Sequence, residues 1–212
     1  MTAGENELTQ RAVIVEVRSS FAIIRINRPA ERNSLSISTL EELDAAVSAL
    51  TERREISAII LTGTDDVFAS GADIRELTTL TPATAREFAA RGQRLFQKIA
   101  DARQLTIAAI NGYCMGGGLD LALCCDIRCA SPNAVFAHPG ARLGIITGWS
   151  GTQRLPRLIG TARAFEMFAT ARRVECGEAY QIGLVSRTGE PVLDCAIEIA
   201  LAQRDVKPSI TS

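Results

Sequence analysis

The sequence predicts an α/β fold with layered cover, and three observations predict it. Short apolar runs of strand character alternate with amphipathic helical periods along most of the chain. Two of those runs open into loops rich in glycine and small residues. Apolar residues make up 47% of the 212, enough for one good core. In order, two β-branched runs at residues 12–17 and 21–26 flank the polar Arg18-Ser19-Ser20 and read as an antiparallel hairpin, closed by the breaker Asn27-Arg28-Pro29. Ser38 and Glu41 have capping-box spacing, and Leu40, Leu43, Val47 and Leu50 follow at helical spacing, which predicts a helix over 39–53. A buried strand is expected at 57–61, then a loop through Phe68 and Ile74, then a helix from about 82 to 102 that buries Phe88, Leu95, Phe96 and Ile99. A third core strand at 106–110 runs into the glycine segment 111–118 and a compact helix at 119–125. Short strands at 127–130 and 135–138 and helices at 152–159, 162–171, 178–182 and 192–203 complete the reading.

Composition narrows the partners. A formal net charge of -1 offers no overall field for nucleic acid or an anionic membrane. Residues 1–10 are polar, and no run approaches the roughly 18 to 20 apolar residues of a membrane span, so a cytoplasmic protein that is neither exported nor membrane-embedded is expected. Of the six cysteines, four crowd into an apolar segment, without a CxxC and beside only one histidine; they read as small core residues in a reducing compartment, with no metal site. No repeat or linker is visible. The first ten residues and the tail after Arg204 are expected to be disordered, with a core over 11–190 and a short C-terminal helix and tail over 191–212.

Gly116-Gly117-Gly118 stands between a buried strand and a helix, where each glycine weakens regular structure by about 1 kcal/mol. Its expected use is close approach of a ligand atom to a main-chain N–H near the positive end of a helix. The run lacks GxGxxG spacing and a following lysine, which argues against a dinucleotide or phosphate loop; a plain packing turn stays open on this evidence alone. The earlier segment Phe68-Ala69-Ser70-Gly71-Ala72-Asp73-Ile74 also follows a core strand, so both loops should emerge at neighbouring strand ends, where α/β folds bind ligands. Two facing backbone N–H groups make an oxyanion hole.

Four ordered segments resemble the signatures of the crotonase (enoyl-CoA hydratase/isomerase) superfamily: residues 68–75, residues 109–120 with the three glycines, Cys125-Asp126, and Gly151-Thr152-Gln153-Arg154-Leu155-Pro156. Asn27-Arg28-Pro29 and Asn33 resemble its N-terminal signature, and the similarity runs from about Val13 to Val185. The resemblance implies a crotonase-like ββα spiral fold with a shortened set of C-terminal helices, homotrimers or dimers of trimers, and an acyl-CoA thioester substrate. No cofactor is implied, since coenzyme A is part of the substrate. It further implies that Ala72 and Gly117 supply the two oxyanion-hole N–H groups, and that Ala30, Arg32, Ser70, Asp73, Ile74 and Arg75 border the adenine and pantetheine path, with Arg32 and Arg75 able to offset phosphate charge.

Asp120 lies three residues after Gly117, on the same helical side, so its carboxylate is expected to reach the carbon beside a thioester held at Gly117. The bland alternative is a charge that complements the helix start. In hydratases resembling this chain Asp120 replaces a glutamate, and a second carboxylate falls at Gly140, where glycine moves no proton. Three chemistries survive: a 1,3-proton shift by Asp120, decarboxylation of a malonyl-type thioester, and hydration by Asp120 with water or with help from His138; a silent acyl-CoA-binding protein is the rival from another class. His138, the sole histidine, would share a face with Gly140 if the run were extended; its alternative is a structural, hydrogen-bonded histidine. Trp149 reads as a core or pocket-wall residue, and Asp126 as the anchor of the turn after the helix.

Overall fold

The computed structural model describes residues 11–205, so the expectations for the first ten residues and for the last seven lie outside the described residues. Strands β1 (Val13–Arg18) and β2 (Phe21–Ile26) form the expected hairpin, with Val13 opposite Ile26 and Arg18 opposite Phe21. β4 (Ala58–Thr62), β7 (Leu105–Ile110), β9 (Ile127–Ala130) and β12 (Arg187–Thr188) extend it in parallel to a six-stranded sheet ordered β1-β2-β4-β7-β9-β12. The inner strands are apolar at nearly every position because both faces are covered, and the period of two sorts their side chains. Phe21, Ile23, Ala58, Ile60, Ile107 and Ala109 face the C-terminal helix (Val192–Asp205) through Val192, Ala196 and Ala200. Ile24, Ile59, Leu61, Ala108 and Ile110 point the other way, into the main core.

That core is filled by α1 (Ile37–Thr51) and α3 (Pro82–Ala100), between which lies the short α2 (Ile74–Leu77), and by α4 (Gly117–Leu123). The cap of α1 differs from the expected one. Ser36 accepts from the Thr39 N–H at 3.2 Å, so the helix starts two residues before 39. Arg28 donates to the same hydroxyl at 2.7 Å, which orients it; Ser38 is left outside the cap, and Glu41 instead pairs with Arg91. Thr81 and Thr84 form a reciprocal capping box at the start of α3.

Beyond the ends of β4 and β7 the chain builds a second sheet from β5 (Val67–Ala69), β8 (Tyr113–Met115), β10 (Val135–Ala137) and β11 (Val174–Glu175), ordered β11-β10-β8-β5. The segment at 68–74, expected to be a loop, therefore holds β5 and β6 (Gly71–Ala72), the latter paired in parallel with β3 (Ser34–Leu35). Because β4 and β7 run parallel, the segments that follow them leave from one end of the sheet, and Ala69 lies opposite Cys114. The buried Asn33 side chain ties the N-terminal turn to this layer, donating to the Val67 carbonyl at 2.6 Å and accepting from the Arg28 N–H at 2.8 Å. Helices α5 (Gly151–Ile159), α6 (Thr161–Thr170) and α7 (Cys176–Gln181) follow. Cys114, Cys124, Cys125, Cys129 and Cys176 are buried core residues and Cys195 is partly buried; burial pushes the Cys129 thiol up to about 12. Among the described residues no helix is long and apolar enough to cross a membrane.

Candidate active site

The ends of β6 and β8 and the starts of α2 and α4 meet at a cavity of about 280 Å³ bordered by Gly71, Ala72, Gly116 and Gly117. Gly117 is the first residue of α4, so its N–H is one of the donors that no carbonyl inside the helix can satisfy. A methyl built on Gly117 would stand 3.5 Å from the Ala72 nitrogen, and one built on Gly71 would stand 3.0 Å from the Gly117 nitrogen. The two main-chain nitrogens, one from the end of β6 and one from the start of α4, therefore lie near each other at one end of one cavity.

The three glycines are used differently from one another, and mostly for packing chain against chain. Gly116 has a left-handed backbone, φ 51, which turns β8 into α4. A side chain on Gly118 would meet the Ala69 carbonyl oxygen at 2.2 Å. A methyl on Gly117 would enter the ring of Trp149 at 2.4 Å, and one on Gly92 of α3 would strike the other end of the same indole at 2.4 Å. Trp149 is 3% exposed and packs on Phe88 and Phe96, with ring centroids at 5.2 and 5.5 Å. It is a wall of the cavity, as expected, and the two glycines are the slots that admit it.

Asp120 lies behind that wall. It is 0% exposed and does not border the cavity; its Oδ2 accepts from the Thr147 hydroxyl, and its Oδ1 has no hydrogen-bond partner. A methyl on Gly151, the first residue of α5, would overlap Oδ1 at 1.9 Å, so the carboxyl rests against the start of that helix. Burial pushes its pKa up to about 7, against the pull of the Thr147 hydroxyl, the Trp149 main-chain N–H and the charge of Arg154.

His138 stands between Asp120 and the cavity. It borders the cavity, is 3% exposed, and places Nε2 3.4 Å from Asp120 Oδ1; Nε2 likewise has no hydrogen-bond partner. Burial lowers its pKa to about 4, so the ring is neutral at pH 7. Its position is not that of an extended strand: β10 ends at Ala137, and Pro139–Leu143 forms a 3-10 turn. Gly140 borders the cavity from this turn, and a side chain there would meet the Ile145 carbonyl oxygen at 2.6 Å.

Of the other residues singled out by sequence, Ser70 and Ile74 border the cavity, whereas Ala30, Arg32, Asp73 and Arg75 do not. Asp73 caps α2 and is held by Arg75 at 2.7 Å, which pulls its carboxyl down to about 2. The Arg75 side chain is otherwise 71% exposed. Arg32 lies exposed over the Tyr113 ring, 5.2 Å from its centroid. Asp126 accepts from the Thr106 N–H and hydroxyl, each at 2.8 Å, and so anchors the turn after α4. Sequence reasoning missed Thr147 and Gly151, the two groups that seat the Asp120 carboxyl. It also missed the apolar rim of Leu143, Ile145, Ile146 and Phe168. The run 151–156 flagged the region, but no spacing connects it to residue 120.

Comparison with known proteins places this geometry among relatives. The profile of the enoyl-CoA hydratase/isomerase family matches residues 16–203. The chain is 42% identical over 180 residues to a crotonyl-CoA hydratase of Syntrophomonas wolfei, covering 84% of this chain and 69% of that protein. It is 40% identical over 191 residues to a short-chain-enoyl-CoA hydratase of Clostridium acetobutylicum, covering 89% and 73%. Among solved structures, an enoyl-CoA hydratase from Bacillus anthracis superposes with a TM-score of 0.87 at 36% identity, covering 91% of this chain and 76% of that one. Pseudomonas aeruginosa DspI superposes at 0.89 and 35% identity, covering 94% and 82%.

Proposed function

This chain belongs to the enoyl-CoA hydratase/isomerase family, of the crotonase superfamily, and on that premise we propose that it moves a proton on a short-chain enoyl-CoA thioester by stabilising the thioester enolate at the N–H groups of Ala72 and Gly117. The observation that supports the reading is the proximity of those two main-chain nitrogens at one end of a mainly apolar cavity. When a proton leaves the carbon beside a thioester, charge collects on the carbonyl oxygen, and each preorganised donor there is worth roughly 3 to 4 kcal/mol. Asp120, which contrary to the expectation from its sequence position does not itself border the cavity, is the carboxyl that stores and returns the proton. A carboxyl poised near pH 7 gives and takes a proton with little driving force in either direction, which is the condition for efficient acid–base catalysis.

The cavity wall favours double-bond migration over hydration. Adding water needs one group to activate the water and one to protonate carbon, and among the described residues the cavity wall carries a single titratable side chain, His138, with Asp120 behind it. A 1,3-shift needs only one group that removes a proton and returns it. Ser70 and Ile74 at the rim, with Arg75 beside them, support a pantetheine path over α2. The reaction needs no cofactor, the assembly follows the trimeric habit implied by the resemblance, and the cytoplasm is the compartment that fits.

The test is to offer the purified protein crotonyl-CoA and a 3-enoyl-CoA side by side. Turnover of the 3-enoyl thioester to the 2-enoyl isomer, abolished in Asp120→Asn, is the expected result. Tight binding of both without turnover of either would reduce the protein to a carrier and end the reading.

A further inference from the structure

The cavity has one titratable side chain on its wall among the described residues, and it is His138. Asp120, the acid/base of the reading above, is sealed from the cavity by Thr147, Trp149 and His138, which all border it. Two polar atoms left without hydrogen-bond partners in this buried region, Asp120 Oδ1 and His138 Nε2, lie 3.4 Å apart. An unpartnered acceptor 3.4 Å from an unpartnered ring nitrogen needs only a small rotation of the imidazole to place the two groups in line to exchange one proton.

Resting on the proposed function, we infer that His138 is the residue that exchanges protons with the substrate, and that Asp120 acts through it as a proton reservoir. In the forward step the ring nitrogen on the cavity side takes a proton from the carbon beside the thioester. The electron pair of the broken C–H bond moves into the enolate, whose oxygen rests on the Ala72 and Gly117 amides. The Nε2 proton passes to Asp120 Oδ1 as the carbon proton arrives, so the ring stays neutral and the carboxylate becomes a carboxylic acid. The reverse transfer delivers a proton to the same carbon or, in the isomerisation, to the carbon two bonds away. No charged imidazolium forms in a region whose burial opposes it. The groups that face the pair are Thr147 from the loop before α5, Arg154 on α5, and the thiols of Cys114 on β8 and Cys124 at the end of α4. Burial holds both thiols protonated, so Arg154 is the fixed charge that biases the carboxyl. The Phe168 ring, 4.8 Å from the imidazole centroid, covers the remaining side of His138.

The experiment separates this inference from the reading beneath it by following proton exchange rather than net reaction. Butyryl-CoA, which has no double bond to move, is incubated with the protein in deuterium oxide, and deuterium at the carbon beside the thioester is read by mass spectrometry. The wild type exchanges, His138→Gln loses about 100-fold or more, and its affinity for butyryl-CoA stays within about threefold. Added imidazole restores exchange in His138→Gly. Exchange in the wild type rises with pH through about 7, and the rise is absent in Asp120→Asn. Because the chain has a single histidine, nitrogen-15 spectra of the wild type supply a second measurement that needs no His138 variant. From about pH 5 to about pH 8 the ring should stay neutral while Nε2 shifts as Asp120 titrates, and Asp120→Asn should abolish the shift. Exchange in His138→Gln within about threefold of wild type, or an ordinary imidazolium titration, overturns the inference and leaves the reading intact. A wild type that binds butyryl-CoA and exchanges nothing overturns both.

Discussion

The Asp120–His138 pair makes a prediction about stability in which the two variants tilt in opposite directions with pH. Asp120 has a folded pKa of about 7 against an ordinary value of 3.8, so the folded state holds a proton that the unfolded state has released between those values. Its contribution to stability is fully present below 3.8 and is lost as pH rises through about 7. Roughly three units at 1.36 kcal/mol each give about 4 kcal/mol. His138 has a folded pKa of about 4 against 6.5, so its contribution is present above 6.5 and is lost as pH falls through about 4, roughly 3 kcal/mol in all. In the wild type the two slopes cancel over most of this window. Asp120→Asn should gain about 4 kcal/mol relative to wild type between about pH 4 and pH 7, and His138→Gln should lose about 3 kcal/mol over nearly the same range. Denaturant unfolding at one fixed protein concentration, read as variant minus wild type, removes the background of surface carboxylates and of assembly. Difference curves that run flat, or tilt the same way for both variants, would refute the reasoning, because they would mean the two groups carry ordinary protonation states inside the fold.

Four further outcomes follow from contacts around the cavity and its rim. Gly117→Ala places a methyl 2.4 Å from the Trp149 ring, and the overpacking should destabilise by about 1 to 3 kcal/mol and shift the emission of this sole tryptophan. Gly92→Ala should do the same from the opposite end of the indole, offsetting the gain of about 1 kcal/mol that alanine brings to an unobstructed helix; a net gain would show the wall to be loose. Gly140→Glu drives its Cβ against the Ile145 carbonyl at 2.6 Å, so it should lower stability and fail to raise hydration of crotonyl-CoA unless the 141–146 turn shifts. Arg75→Ala removes an exposed side chain whose ion pair is screened by solvent; unfolding should barely change, while KM for a CoA thioester rises and KM for the matching pantetheine thioester does not.

What the sequence made legible was set by local pattern. The hairpin and the inner strands were readable because continuous apolar runs are what a doubly covered sheet requires, and α3 because its apolar spacing is strongly helical. The start of α1 was misplaced because Ser36 and Ser38 offer competing caps, and the choice was made by Arg28, ten residues from the Ser38 that loses. Strands of two or three residues such as β3, β6 and β11 carry almost no period of their own and exist through partners distant in sequence. Ala72 and Gly117 were named through resemblance, since nothing local distinguishes a glycine that admits a ligand from one that admits an indole. The depth of Asp120 was not visible at all: it depends on Thr147 and Gly151, some thirty residues on, folding back over the first turn of α4.

That covering explains why a buried carboxyl with an unsatisfied oxygen persists in an otherwise well-packed core. A carboxylate carried into apolar surroundings without compensation would be far less tolerable than the few kcal/mol implied by a pKa near 7. The offset comes from the Thr147 hydroxyl, the Trp149 N–H, the Arg154 charge and the start of α5, all delivered by one short stretch of chain, residues 147–154. The same stretch supplies the indole that walls the cavity beside Gly117. A displacement of this segment therefore moves the Asp120 carboxyl and the cavity wall beside Gly117 together, which would tie the proposed acid–base group to the proposed enolate site. The remaining defect, Oδ1 left 3.4 Å from His138 Nε2, lies on the side that leads to the cavity, which is where the proposed proton exchange requires an atom that is not fully bonded.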